Sequence, residues 1–211
     1  TGFSLPYFWA IDNDKDLTFT TKNYKNENIL FLNEYRQAFR NGFLTLDTSY
    51  TEGYKETSTK KTAGSRNHIF ANLDLNLNRN ESYTSDFSLK IQKASNDTYF
   101  RVHDIDTALV DSTDTDLENE VSYKFSKDNM YFDVSASVYE NLREDKNSDK
   151  YEFILPNIAY GNTFFTKNIG TIDFASNAIH KNFKTNKYTT IFTNDLIWNP
   201  FNKITKKGFV N

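Results

Sequence analysis

A two-residue period, sustained over stretches of about ten residues, limits what this chain can fold into more than any other feature. In "NMYFDVSASVYE", Met130, Phe132, Val134, Ala136 and Val138 fall on one side, and Tyr131, Asp133, Ser135, Ser137 and Tyr139 on the other. In "HIFANLDLNLN", Ile69, Ala71, Leu73, Leu75 and Leu77 oppose His68, Asn72, Asp74, Asn76 and Asn78, and Phe70 alone is apolar on the polar side. "YTSDFSLKIQK" sets Tyr83, Phe87, Leu89 and Ile91 against Thr84, Asp86, Ser88, Lys90 and Gln92. "LENEVSYKF" sets Leu117, Val121, Tyr123 and Phe125 against Glu118, Glu120, Ser122 and Lys124. Side chains alternate across an extended backbone, so each stretch predicts a strand with one apolar and one polar face.

Other stretches carry the period with more noise. "ILFLNEYRQAF" groups Ile29, Phe31, Tyr35 and Phe39 but adds Asn33, and "FLTLDTSY" groups Leu44, Leu46 and Tyr50. "LTFTTK" (17–22), "KYEFILPNIAY" (150–160), "GTIDFASNAIH" (170–180) and "YTTIFTNDLIW" (188–198) are further strands with mixed faces. The first strand, "GFSLPYFWAI", places Phe3, Leu5, Tyr7, Trp9 and Ile11 together and Ser4, Pro6, Phe8 and Ala10 together. Pro6 has no N–H for a ladder, which points to an edge strand or a bulge. The total is roughly eleven strands, most close to the length that crosses a bilayer.

The connections alternate in length. "RN" (40–41), "NRNE" (78–81) and "SKDN" (126–129) are tight, whereas the links near 52–66, 95–115 and 141–150 are longer and polar. Short turns at one end and long loops at the other are the layout of an up-and-down outer-membrane barrel. The pattern weakens after residue 160 and is imperfect at 23–28. Residues 1–211 read as a single domain without linker or solenoid repeat. The abrupt strand at the start and "GFVN" at the end suggest a piece of a longer barrel, an open, curved sheet if taken alone.

Composition supports β structure and excludes other classes. Hydrophobic residues make up 37% of the 211, yet aromatics reach 16%, too many for a disordered chain. Net charge is -3, with no basic stripe for nucleic acid. Cysteine is absent, so neither a disulfide framework nor a thiolate metal site lies within these residues. No apolar run reaches the length of a membrane helix, but a barrel is signalled by alternation instead. Period alone does not say whether the apolar face meets a core or lipid. Long strands and a hairpin repeat of about forty residues favour a barrel over a β-sandwich, whose turns come every 8–12 residues. Aromatics at strand ends, among them Tyr7, Phe8, Trp9, Tyr50, Tyr83, Tyr123, Tyr139, Tyr160, Tyr188 and Trp198, fit the interfacial girdles of such barrels.

No catalytic constellation stands out. His68, His103 and His180 are separate, without ligand spacing, and read as lumen or loop residues. "DIDTALVDSTDTDLENE" (104–120) lacks the glycine and carboxylate spacing of a calcium loop and reads as an acidic solvated loop. Serines lack a nucleophile elbow, and the carboxylate pairs Glu118/Glu120 and Glu140/Glu144 are undistinguished. No phosphate or dinucleotide fingerprint occurs, and no cofactor is expected. The polar runs "SYTEGYKETSTKKTAGSR" and "NLREDKNSDK" read as loops, the first with enough Lys and Arg to meet anionic sugar or phosphate groups.

Four segments, in order, resemble the β-barrel domain of the lipopolysaccharide-assembly proteins, the LptD or organic-solvent-tolerance family. They are "FSLPYFWAIDNDKDLTFTTKNY", "LNEYRQAFRNGFLTLDTSY", "KASNDTYFRVHD" and "YEFILPNIAY". Asp12–Asn13 departs from the Ala-Pro that the family often carries there. The resemblance implies part of a barrel of roughly 26 strands in a Gram-negative outer membrane. It implies lipopolysaccharide as cargo, an LptE-like lipoprotein plug, and contact with periplasmic bridge proteins through an N-terminal domain that, with the barrel's first strand, would lie upstream. It also implies disulfides outside this stretch and no chemical reaction. Cargo would leave sideways into the outer leaflet through a seam, where Pro6 is the candidate weak point and Tyr7, Phe8, Trp9 and Trp198 are candidate interfacial anchors. The alternatives are a passive outer-membrane porin, which shares the pattern without a seam role for Pro6, and a soluble β-sandwich binding module.

Overall fold

The computed structural model describes residues 2–25, 28–53, 64–79, 82–143, 150–167, 169–183, 187–200, 203–205 and 208–210. Eleven strands follow one another in a single antiparallel sheet: β1 (Gly2–Asp12), β2 (Lys15–Tyr24), β3 (Leu30–Phe39), β4 (Gly42–Glu52), β5 (Ser65–Arg79), β6 (Tyr83–Ala94), β7 (Asp116–Lys127), β8 (Met130–Asn141), β9 (Tyr151–Thr166), β10 (Gly170–Phe183) and β11 (Lys187–Asn199). Each pairs with its sequence neighbours only, so the sheet is open, with β1 and β11 as its edges. The strands form one layer, which removes the two-sheet sandwich as a description. "GFVN" does not extend the sheet: β13 (Gly208–Val210) forms a separate hairpin with β12 (Lys203–Thr205).

The connections alternate in length as the sequence implies up to about residue 160, and the last, 184–186, is as short as those at the opposite end. At one end, residues 13–14, 40–41, 80–82, 128–129 and 167–169 link strands in two or three residues. At the other, the links are 25–29, 53–64, 95–115, 142–150 and 184–186. The tight turns have local causes. Asn13 donates its N–H to the Asp12 carboxylate at 2.8 Å. Asp128 adopts φ 48°, the left-handed region that two-residue hairpins need and that Asp tolerates. Gly42, just after its turn, lies so close to the Asp74 carbonyl that a Cβ would overlap it.

Register fixes the two faces, because directly paired residues lie on the same side. One face carries Leu44, Leu73, Leu89, Val121 and Ala136 as successive partners across β4 to β8. The next row runs Leu75, Phe87, Tyr123, Val134, Ile158, Ala178 and Phe192 across β5 to β11. On the opposite face Thr45, Asn72, Lys90, Glu120 and Ser137 are partners, followed by Phe43, Asp74, Ser88, Ser122, Ser135 and Asn157.

Among the described residues, the one helix is α1 (Tyr99–His103), inside the 95–115 connection. This connection does not extend into solvent. It folds back over the polar face of β2 to β5 and makes the only substantial core found among the described residues. Leu30, Leu32, Phe70 and Ala94 on strands meet Tyr99, Phe100, Ile105 and Val110 from the insert, and Leu117 and Leu142 complete the cluster. The expected solvated loop at 104–120 is therefore corrected. Ile105 and Val110 are buried, Asp106, Asp111 and Asp114 are exposed, and residues 116–120 already belong to β7. The reason is amphipathy within the loop, which period counting over longer windows averages away.

Candidate functional site

The polar face is a hydrogen-bonded surface. Arg36 on β3 grips Asp16 on β2 through Nε and Nη2, at 2.9 and 3.2 Å. Ser88 donates to Asp74 at 2.7 Å, and Lys90 and Tyr139 both donate to Glu118, at 2.6 and 2.7 Å. Ser137 donates to Glu120 at 2.9 Å. The β6–β7 ladder ends at Lys90–Glu120. Beyond it, side-chain amides take over: the Gln92 N–H donates to Asn119 Oδ1 and the Glu118 N–H donates to Gln92 Oε1, at 2.9 and 2.7 Å. The strands part there to admit the insert.

The insert sits on a buried polar cluster. Asp47 and Ser49 project from β4, and His68, the register partner of Ser49, projects from β5. His68 Nε2 lies 3.0 Å from Asp47 Oδ1, and its Nδ1 lies 2.5 Å from Ser49 Oγ. Ser49 Oγ is also 2.7 Å from the Tyr99 hydroxyl, and Thr107 donates to the second oxygen of Asp47. One neutral tautomer satisfies this network: Nε2–H donates to Asp47, Nδ1 accepts from Ser49, and Ser49 accepts from Tyr99. The Phe100 ring packs edge-on against His68 and Phe70, both at 5.3 Å. Burial pushes the Tyr99 hydroxyl up to about 12, against the opposing pull of the Ser49 hydrogen bond.

Ser49, His68 and Asp47 include the residue types of a hydrolytic triad, but the chemistry does not follow. The His68 ring and Asp47 carboxylate are sealed from solvent, and Tyr99 occupies the approach to Ser49. A nucleophile must meet its carbonyl beside preorganised donors. These groups instead hold the insert on the wall.

At the loop end the insert is tied further. Lys150 donates to Asp97 at 2.6 Å and lies 3.2 Å from Glu140, which also receives Lys93. Burial alone would lower the Lys150 ammonium, but its bonds to Asp97 and Glu140 outweigh this and raise it.

The predicted anchor residues separate by face. Pro6 lies in edge strand β1 opposite Thr20, within a register that continues on either side. An edge strand has one side without a neighbour, which is where a residue lacking N–H is tolerated. Tyr7 and Trp9 share the apolar face with Leu5 and are exposed, whereas Phe8 lies on the polar face with Pro6. Trp198 lies on edge strand β11, on the apolar face opposite Ile172, and its indole N–H donates to the Ile169 carbonyl at 2.7 Å. Both tryptophans are thus near the short-turn end of the apolar face. They share that end with Tyr83, Phe125, Phe132, Tyr160 and Phe164. Phe31, Tyr50, Phe153 and Tyr188 stand toward the other end of this face.

The histidines divide too. His68 is on the polar face and His103 is buried in α1, 5.1 Å from the Tyr99 ring. His180 departs from the lumen-or-loop expectation. It pairs with Thr190 on the apolar face, near the level of Tyr188, and its Nδ1 lies 2.7 Å from the Thr190 hydroxyl. Glu118 and Glu120 are members of the polar-face ladder. Glu144, most of "NLREDKNSDK" and residues 54–63 of the Lys-rich run lie outside the described residues. Among the described residues no group of three or more His, Cys, Asp or Glu could hold a metal ion. The insert's seat was missed by the sequence reading, although Phe70, alone on its polar face, marked it. Neither protein-family models nor curated proteins give a match to this chain.

Proposed function

We propose that the chain forms part of the wall of an outer-membrane β-barrel that assembles lipopolysaccharide, as in the LptD family. The observation that carries the membrane reading is the apolar face, which stretches across the sheet as a single uncovered layer with aromatics near both ends. Tyr188 and Trp198 stand ten residues apart on one side of β11. At about 3.3 Å per residue that is about 33 Å along the strand. A strand tilted by about 40° turns it into a band of about 25 Å, the height of the apolar belt of such barrels. Among the described residues no helix is long and apolar enough to cross a membrane.

The family reading rests on the four quoted segments in order, the first of which carries Pro6 in β1. In this reading the polar face lines a wet lumen that passes sugars, beside an LptE-like lipoprotein, while acyl chains leave through a seam on the β1 side of the sheet. The protein makes and breaks no bond. Opening a seam in lipid costs several kcal/mol for each backbone group left without a partner. A proline there removes one donor from the count.

The test is Pro6→Ala in the full-length protein. It restores a donor to the edge strand, and surface lipopolysaccharide, followed by pulse labelling, should appear more slowly at unchanged protein level. An unchanged export rate removes Pro6 from the seam. Steady ion conductance in planar bilayers, with lipopolysaccharide export intact after depletion, would favour the porin instead.

A further inference from the structure

We propose that the 95–115 insert is a latch that holds the β1–β2 edge hairpin to the rest of the wall, an inference that rests on the barrel reading above. The insert has two sets of contacts. One is the seat on β4 and β5: Asp47, Ser49, His68 and Phe70 receive Thr107, Tyr99 and Phe100. The seat is reinforced by a backbone exchange, in which the Ser95 N–H donates to the Asn67 carbonyl at 2.9 Å and the Asn67 N–H donates to the Ser95 hydroxyl at 3.0 Å.

The other set reaches β2. A helix ends with carbonyls that its own backbone cannot satisfy. In α1 the chain turns at Asp104, φ 49°, and the Asp104 and Ile105 N–H groups return to the Phe100 carbonyl. The carbonyls of His103 and Asp104 instead accept from β2: Tyr24 Oη at 2.9 Å and Lys22 Nζ at 2.5 Å. Lys22 and Tyr24 pair with Ser4 and Gly2 of β1. The insert therefore spans from the seat on β4 and β5 to the edge hairpin, bypassing the β2–β3 ladder.

That ladder is the shorter tie. Its register runs from Lys15–Gln37 to Lys22–Leu30 and stops before Tyr24, so the backbone ladder to β3 ends short of the last residues of β2, where the insert adds the Tyr24 hydrogen bond. A seated insert keeps the loop end of the hairpin in line with the wall. A lifted insert frees that end, next to the edge where Pro6 lies. The latch thus couples what happens on the polar face to the freedom of the edge strand.

Hydrogen exchange of the full-length protein in detergent micelles, read by mass spectrometry, tests this. The double variant Lys22→Met with Tyr24→Phe removes the latch contacts and leaves the seat intact. Phe100→Ala loosens the seat. Both should raise exchange in residues 2–24 by about tenfold, the equivalent of one or two modest hydrogen bonds, with residues 130–183 unchanged. Unchanged exchange in 2–24 in both variants overturns the latch, as does an equal rise in 2–24 and 130–183. The readout is backbone opening alone, so it is separable from cargo. A selective rise at 2–24 supports the latch even where export of lipopolysaccharide proves absent, and that absence counts against the function proposed above.

Discussion

At the scale of single residues, two positions make the fold's chemistry measurable. Tyr99 of the insert is buried against the sheet, and its hydroxyl is pushed from the ordinary value of 10.0 up to about 12. The seated form therefore holds its proton where the released form has begun to lose it. The stability this gives is complete below pH 10 and declines as pH rises toward about 12. Difference titration of tyrosinate absorbance between wild type and Tyr99→Phe should show one group with a midpoint near the upper value, and loss of aromatic circular dichroism should follow it. A midpoint near the ordinary value would mean that the insert does not bury Tyr99. The second position is Gly161, the register partner of Tyr131 on the polar face. A Cβ there would overlap the Tyr131 ring, which lies against the glycine. Gly161→Val should cost about 1–3 kcal/mol through overpacking. Adding Tyr131→Ala should recover much of this, as a double-mutant cycle in denaturant would show.

At the scale of elements, hairpins and exceptions carry the argument. The β7–β8 turn depends on Asp128 at φ 48°. A β-branched residue there costs about 1–2 kcal/mol. Asp128→Val should lower the unfolding midpoint accordingly, and Asp128→Gly should leave it nearly unchanged. The strands themselves were legible: β6 to β8 show in sequence the same faces as in the register, and so does β5 apart from Phe70, which lies under the insert, and Asn78, which follows a bulge. The noise in other strands has a physical source. Leu30, Leu32, Phe70 and Ala94 interrupt the polar face where the insert covers it. Their apolar character answers to α1, a contact from far along the chain that a local period cannot register. Helix α1 itself was not legible. Five residues cannot stabilise a helix by propensity, and this one is held by the packing of Tyr99 and Phe100 on the wall. Thr98, its N-cap, makes no side-chain capping bond. The buried cluster of Asp47, Ser49 and His68 was illegible for the same reason: Asp47 and Ser49 share β4 but meet His68 of β5 and Tyr99 of the insert only through register and the fold of the connection.

At the scale of the whole molecule, the open question is the solvent of the apolar face. A single-layer sheet leaves both faces without a protein layer over most of its area, and exposed apolar surface of that extent marks a membrane or a partner. The two faces can be compared at adjacent positions of β6. Leu89 lies on the apolar face between Leu73 and Val121, and Ser88 on the polar face between Asp74 and Ser122. Both positions lie within the strand, away from the insert and the turns. If the apolar face meets lipid, Leu89→Arg moves a charge to the middle of the belt and should cost about 2–4 kcal/mol, whereas Ser88→Arg faces water. If the apolar face met water, arginine would be solvated at either site and the difference would reflect lost packing, about 1 kcal/mol for a partly exposed leucine. Reversible unfolding of the two full-length variants in lipid vesicles measures the difference directly. A gap of 2 kcal/mol or more, on the order expected for a charge in hydrocarbon, supports the barrel wall. A gap of about 1 kcal/mol or less, the size of lost leucine packing, would mean that the apolar face meets water instead.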